Sequence, residues 1–458
     1  MAPLVWALKK DGPKYGIATT VVSTKQHRDM VASFLGLFEV DIDSEMDLPD
    51  TKDRTLAQLT ANVMTQSEGI FEQFNPDVVL VQGDTTSAMA MAMSAFYKGV
   101  PVGHVEAGLR TYNLRQPSPE EMNRQVISRI ASMHFAPTKL SACALLAEGA
   151  DPDHVLLTGN SVIDTFKWTL SSVLGAGVKA KGAGVPPGEG SVLGEHITEA
   201  FGADPALLAL LTETPGAGLD GSDVSMPRFT HKDGRQVVLL TVHRRENHGK
   251  PLLRIFSAIK TLAAELPRIH FVYPVHPNQA VGDVAAKELG GIENVHLLPA
   301  LGYDALVYLM SKSVLVLTDS GGLQEEATYL ARPVLVMREA TERLEGVLAG
   351  AATLVGTQTA DILSSVRDVL SNRNGRYDAM AHRSLPYGDA KASERTLHAL
   401  ASLKGAILDR TLREGSVSAP GTGTPAAVGA AIRCPAALAA VAEFGAPQGQ
   451  KGSLRSQP

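Results

Sequence analysis

An α/β protein of two doubly wound domains is what this sequence predicts, and three observations carry the prediction. Apolar runs of strand length, such as Val78-Val-Leu-Val81 and Val237-Val-Leu-Leu240, end in a turn and lead into a helical pattern. This order repeats along both halves of the chain, and successive βαβ units build parallel sheets. Between the halves, residues 175–234 turn to Gly- and Pro-rich stretches such as Gly-Val-Pro-Pro-Gly-Glu-Gly, which read as a largely disordered surface insertion. At 458 residues the chain is long enough for two domains and such extra segments.

The first domain spans 1–165. Met1 to Lys10 has helical spacing with no strand before it, Gly16 to Ser23 reads as a strand, and Thr24 to Met30 opens a helix. Leu56 to Phe74 places Leu56, Leu59, Val63, Ile70 and Phe71 on the apolar face of an amphipathic helix. Strand Val78 to Val81 turns at Gln82-Gly-Asp-Thr-Thr-Ser87 into an Ala/Met-rich helix, Ala88 to Tyr97. Strand Val100 to Val105 runs into Glu106, and the following loop delivers Ser118-Pro-Glu-Glu-Met-Asn-Arg124 at a helix start. Ala131 to Pro137 and Val155 to Asn160 complete the series.

Inside 175–234 the one helix-like island is Glu195 to Leu211. The second domain, 235–385, opens with the strand from Val237 that ends in His243-Arg-Arg-Glu-Asn247. A helix to Leu266, a strand Ile269 to Val275 and His276 come next. Strand Ser313 to Asp319 then meets Ser320-Gly-Gly322 at the start of a helix carrying Glu325 and Glu326. Ala360 to Leu370 is another helix, and residues 386–413 form a helix that crosses back to the first domain. The tail, 414–458, is rich in Gly, Ala, Ser and Pro and reads as disordered.

Strand ends in such folds carry ligands, because the carboxyl edge of an open parallel sheet is where crevices form. Asp84, Glu106 and Glu120 are brought to one such edge, with His104, Arg110 and Arg124 among them. Carboxylates crowded together take on unequal pKa values, which leaves an acid beside a base for moving protons. In the second domain, His243 directly after a buried strand, with Arg244 beside it, suits a departing anion whose charge must be stabilised. Gly321 and Gly322 at a helix N-terminus let backbone N–H groups approach a phosphate.

Composition narrows the alternatives. Hydrophobic residues make up 44% and charged residues 20%, with a net charge of −6, so no basic excess points to nucleic acid. Cys143 and Cys434 are too few for a disulfide framework or a Cys-based zinc site, and a reducing, cytoplasmic setting is expected. No apolar run reaches about 18 residues, and no membrane span or signal peptide is expected. No metal cluster and no cofactor are expected.

Several blocks carry a resemblance. Gln82-Gly-Asp-Thr-Thr86, Gly103-His-Val-Glu-Ala-Gly-Leu-Arg110, Pro119-Glu-Glu-Met-Asn-Arg124, Thr241-Val-His-Arg-Arg-Glu-Asn247 and Asp319-Ser-Gly-Gly-Leu-Gln-Glu-Glu326 resemble the signatures of UDP-N-acetylglucosamine 2-epimerases, especially the non-hydrolysing bacterial type. The resemblance covers most of 1–175 and 235–397. It implies two Rossmann-like domains facing a cleft, the GT-B type, with a UDP-sugar substrate and a homodimeric assembly. It implies Asp84, Glu106, Glu120 and His243 as the catalytic set. Arg124, Arg244, His276, Ser320, Gly321, Gly322, Glu326 and Arg343 become substrate-binding residues, with Glu326 accepting from the ribose hydroxyls and Tyr303 lying in the loop that holds the uracil. Gln26 and His27 match a block that helps form an allosteric UDP-sugar site.

Two departures qualify the resemblance. The family's first strand and its Gly-Thr-Arg-Pro-Glu loop have no counterpart before Met1, which we read as a truncated gene model, with an inactive UDP-sugar-binding copy as the alternative. Leu344 stands where the family has proline, a change expected to loosen the loop that carries Arg343. The activity implied is interconversion of UDP-GlcNAc and UDP-ManNAc. A hydrolysing epimerase that releases ManNAc and UDP is the nearest rival, and a glycosyltransferase shares the fold.

Overall fold

The computed structural model describes residues 1–24, 37–48, 55–175, 199–212, 233–382 and 385–402. Gln26 and His27 lie outside them, as do 403–458 and the remainder of the 175–234 segment. The chain divides into two compact α/β units in which every strand pairing is parallel.

One unit is built on the described part of Gly159–Glu394, together with Met1–Ala7 and residues 37–40. Its six strands are β7 (Gln236–Thr241), β8 (Ile269–Pro274), β9 (Val295–Leu298), β10 (Ser313–Thr318), β11 (Val334–Val336) and β12 (Ala352–Leu354). They lie in the order β12-β11-β10-β7-β8-β9. The chain therefore winds outward from β7 through β8 and β9, returns to β10, and winds outward the other way. That reversal makes the β7–β10 boundary the switch point, where crevices open at the strands' carboxyl ends. Thr241 and Thr318, the last residues of these strands, are register partners, and their hydroxyls are 2.6 Å apart.

The sheet is covered on both faces, which is why β7 and β10 read as unbroken apolar runs. One face packs against helices Lys250–Glu265, Gln279–Leu289 and Thr359–Leu370. The other packs against Ser161–Gly175, Tyr303–Lys312, Gly321–Tyr329 and Pro205–Thr212.

The last of these helices corrects the reading of 175–234 as a surface insertion. Leu207, Leu210 and Leu211 are fully buried in the core beside Phe166, Leu170 and Phe201. Burial of a leucine side chain stabilises by about 1.5–3 kcal/mol, so a low-complexity composition around the island does not prevent the island itself from docking. Asp204 caps the helix by accepting from Leu207 N at 2.9 Å, and His296 Nδ1 lies 2.5 Å from its other oxygen. Tyr308 donates to Leu211 O at 2.9 Å from the helix it packs on.

The second unit holds the described residues of 8–24, 41–158 and 395–402. Strands β3 (Val79–Gln82), β4 (Val102–Val105), β5 (Met133–Ala136) and β6 (Val155–Leu157) form a four-stranded sheet in that order. A separate pair, β1 (Val22–Ser23) and β2 (Ser44–Glu45), is tied to it through helices Leu56–Phe74 and Thr86–Tyr97. Gly16 to Ser23 was expected to be one strand, yet only its last two residues pair. Among the described residues β1 has a neighbour on one side alone, and a strand is defined by its partners. In helix Leu56–Phe74 the buried face runs through Leu59, Val63, Ser67 and Phe71, each four residues from the last, which leaves Leu56 exposed. Among the described residues no helix is long and apolar enough to cross a membrane.

Candidate functional site

Two constellations stand at carboxyl ends of strands, one in each unit. In the unit carrying the six-stranded sheet, β7 and β10 end side by side, and Asp319 follows β10 directly. Its buried carboxylate accepts from the backbone N–H groups of His243 and Arg244 at 2.9–3.1 Å and from Asn247 Nδ2 at 2.9 Å. His243 Nδ1 lies 3.0 Å from Asp319 Oδ1. Burial works against the ionised carboxyl, but the bonds from His243, Arg244 and Asn247 prevail and hold its pKa below the usual carboxylate value. An ionised carboxylate is acceptor-only, so His243 presents Nδ1–H to it and leaves Nε2 for a ligand. The His276 ring stacks on that of His243, with centroids 5.9 Å apart. Burial, then the neighbouring His243, depress the His276 pKa.

Opposite this pair the helix Gly321–Tyr329 begins. Its N-cap, Ser320, makes no side-chain cap bond, and the N–H groups of the first turn are those a helix cannot satisfy internally. A side chain at Gly321 would stand 2.8 Å from Glu342 Oε1 and 3.6 Å from Arg244 Nη2, so it would push the Glu342 carboxylate aside; one at Gly322 would meet nothing within 4 Å. Arg338 bridges Glu246 and Glu342 at 2.7 and 3.0 Å. Arg244 stays 3.9 Å from Glu342, and its buried Nε has no hydrogen-bond partner among the described residues. An arginine Nε without an acceptor, a histidine Nε2 and a helix N-terminus are the kinds of donor that bind anions.

Glu325 and Glu326, adjacent on that helix, have different fates. Glu325 accepts from Arg343 Nε at 2.5 Å and from Asn160 Nδ2 at 2.7 Å, so both of its oxygens are used within the protein. Glu326 is just as buried, and Tyr303 Oη donates to its Oε1 at 2.7 Å. Burial pushes the Glu326 carboxyl up to about 7, against the opposing effect of the Tyr303 hydrogen bond. Leu344 is buried at the start of its short helix, and Tyr387 Oη accepts from Gly346 N at 2.9 Å and donates to Arg343 O at 3.1 Å. The loop that carries Arg343 is held by these bonds.

In the other unit Asp84 and Glu106 follow β3 and β4. Arg124 donates to Asp84 Oδ2 through Nε and Nη2 at 2.9 and 2.8 Å, and Asn123 Nδ2 donates to Asp84 O at 2.8 Å. A side chain at Gly83 would lie 3.3 Å from Glu106 Oε2, which places that carboxylate over the turn leading to Asp84. Glu106 itself has φ +62°, a conformation costly for any residue but glycine and common at functional positions. Glu120 opens the next helix with Oε2 buried and without a hydrogen-bond partner among the described residues.

Two of the residues grouped with these carboxylates support the fold instead. Arg110 is spent on Glu148, Ser128 and Leu109 O. His104 is fully buried, with Nε2 2.8 Å from Gly83 O, and burial lowers its pKa to about 3, so it is neutral and fixes the turn. Sequence reasoning missed Glu121, which accepts from Thr111 N, Tyr112 N, Arg124 Nη1 and Gln125 Nε2. Neighbouring helical residues point about 100° apart, so one of two consecutive glutamates had to face inward, but the pattern did not say which. Asp319 was missed as the hub of its site, although an acid ending an apolar strand was a visible signal.

Rossmann-like units, donors gathered at a switch point and a buried carboxylate one helical turn beyond them are features of nucleotide-binding α/β proteins. The chain belongs to the UDP-N-acetylglucosamine 2-epimerase family, whose model matches residues 10–213 and 217–401. A probable UDP-N-acetylglucosamine 2-epimerase of Ralstonia solanacearum is 40% identical over 87% of this chain and 94% of its own length. The enzyme of that name from Neisseria meningitidis serogroup A is 38% identical over 86% of this chain and 93% of its own. Among solved structures, the Neisseria meningitidis UDP-GlcNAc 2-epimerase bound to UDP-GlcNAc superposes with a TM-score of 0.74 at 36% identity, covering 88% of this chain and 96% of that one.

Proposed function

We propose that the protein is a non-hydrolysing UDP-GlcNAc 2-epimerase that interconverts UDP-GlcNAc and UDP-ManNAc. The observation that carries the reading is the anion site of His243, Arg244 and the Ser320–Gly322 helix start, one turn from the buried Glu326. UDP-sugar binding there puts the diphosphate at the N–H groups and the ribose diol at Glu326. The reaction removes the sugar C2 proton while the C1–O bond to UDP breaks, giving a glycal-like intermediate with a C1–C2 double bond. UDP oxygen then re-forms the bond to C1 as a proton returns to the opposite face of C2.

The C2–H is weakly acidic, so stabilisation of the leaving diphosphate must accompany proton removal. His243 and Arg244 supply that stabilisation, aided by Arg343 and His276. Asp84, Glu106 and Glu120 handle the protons, with Arg124 fixing Asp84. The same reading takes the enzyme to be cytoplasmic and a homodimer; light scattering of the purified protein tests the dimer.

Proton NMR of UDP-GlcNAc incubated with the protein in D₂O tests the activity. Deuterium at C2 together with a UDP-ManNAc signal is expected. Free ManNAc and UDP would make it a hydrolysing enzyme, and no exchange would leave a UDP-sugar-binding protein.

A further inference from the structure

A carboxylate can accept about four hydrogen bonds, and a buried one that accepts fewer is short of donors. Among the described residues Tyr303 Oη is the one side-chain donor to Glu326, and it occupies Oε1 only. Tyr303 starts the helix Tyr303–Lys312, and its ring packs into the apolar core of the same unit, 6.2 Å from the ring of Phe38. Burial, reinforced by Glu326, raises the Tyr303 pKa well above its ordinary value, so the hydroxyl remains a donor at any working pH. The adjacent Glu325 faces Arg343 and Asn160, which leaves Tyr303 as the titratable group that faces Glu326.

We propose that Tyr303 is a positioning residue that sets the enzyme's preference for a ribonucleotide: its hydroxyl pins Oε1 of Glu326, so that the carboxylate meets both hydroxyls of the ribose in one fixed orientation. The proposal rests on the reading of this site as the UDP site. A carboxylate free to rotate accepts one hydroxyl nearly as well as two. A pinned one rewards the vicinal diol, because a site built around a hydroxyl is left with an unpaired buried acceptor when that hydroxyl is missing.

The test compares UDP with 2′-deoxy-UDP by calorimetry, across pH 5.5 to 8.5, for the wild-type protein, Tyr303→Phe and Glu326→Gln. Tyr303→Phe removes one oxygen and leaves the ring in place, and its fold is checked by circular dichroism. The wild type is expected to prefer UDP by about tenfold or more, the loss of one well-placed hydrogen bond. In Tyr303→Phe the preference falls to about twofold. The pH below which UDP binding weakens also moves upward, because the lost hydrogen bond no longer favours the ionised carboxyl. A purely structural role for Tyr303 would weaken both ligands equally and leave that pH unmoved, and this result, or a wild type that does not discriminate, overturns the proposal. Unchanged UDP affinity in Glu326→Gln, or no UDP binding by the wild type, would instead remove the UDP-site reading itself.

Discussion

Arg124 grips Asp84 with two nitrogens on a single carboxylate oxygen, Nε at 2.9 Å and Nη2 at 2.8 Å, while its third nitrogen rests on the buried Glu121. The guanidinium thus joins the Asp84 carboxylate, proposed above to handle protons, to a structural one and sets where Asp84 Oδ1 points. Lysine, a point charge, cannot reproduce this fork. Arg124→Lys is therefore expected to lower turnover by about 10–100-fold, the range for a positioning loss, with little change in UDP affinity. Asp84→Asn and Glu106→Gln should each abolish turnover and spare UDP binding. Steady-state rates and calorimetry on the three variants check this, and wild-type rates in either carboxylate variant would remove the catalytic assignment.

The Asp319 carboxylate holds two backbone N–H groups, Asn247 and His243 at once. Asp319→Asn keeps the size and removes the charge and one acceptor. A loss of about 1–3 kcal/mol in urea unfolding is expected from the donors left without a partner. His243→Ala removes one of several donors to Asp319 and should cost less stability than Asp319→Asn, while cutting kcat by about 10²–10³-fold, as for other donors that stabilise developing charge. Equal losses of stability in both variants would place His243 in the fold and not in the chemistry.

Glu326 links stability to pH. Its folded pKa of about 7 lies above the unfolded carboxyl value, so the folded state binds the extra proton between the two. The stability it contributes is present below the unfolded pKa and is lost as pH rises to the folded one. Ligand-free Glu326→Gln should therefore be more stable than wild type at pH 8, by about 1–3 kcal/mol, and no more stable at pH 5. Thermal melts at the two pH values decide this, and a pH-independent difference would contradict it. Glu326→Ala should weaken UDP binding at pH 8.

Helix Pro205–Thr212 offers the clearest stability test. Leu207→Ala and Leu210→Ala should each cost about 2–5 kcal/mol, as in other close-packed cores. Removing 199–212 uncovers the face lined by Phe166, Leu170 and Tyr308 and is expected to give insoluble protein. Soluble, active protein after that deletion would show that the helix is dispensable to the core.

Much of this was legible in the sequence because it is local. Apolar runs followed by a turn and a 3.6-residue pattern specify strand, turn and helix within some ten residues of one another. The ends of β3, β4, β7 and β10 were therefore found near Asp84, Glu106, His243 and Ser320 before any contact was known. Short strands such as β2, β11 and β12 carry too few residues for a periodicity, and only their neighbours make them strands.

What the sequence by itself determined is the order of elements, the parallel sheets and the set of residues placed at their carboxyl edges. Tertiary structure alone decided which member of each acidic pair is structural, Glu121 over Glu120 and Glu325 over Glu326, and which charges are already spent, as Arg110 is on Glu148. It also decided that an island in a low-complexity stretch belongs to the core. The physical reason is the same in each case. A side chain's role depends on which donors, acceptors and apolar surfaces reach it, and those come from remote parts of the chain, as Asn160 reaches Glu325 across 165 residues.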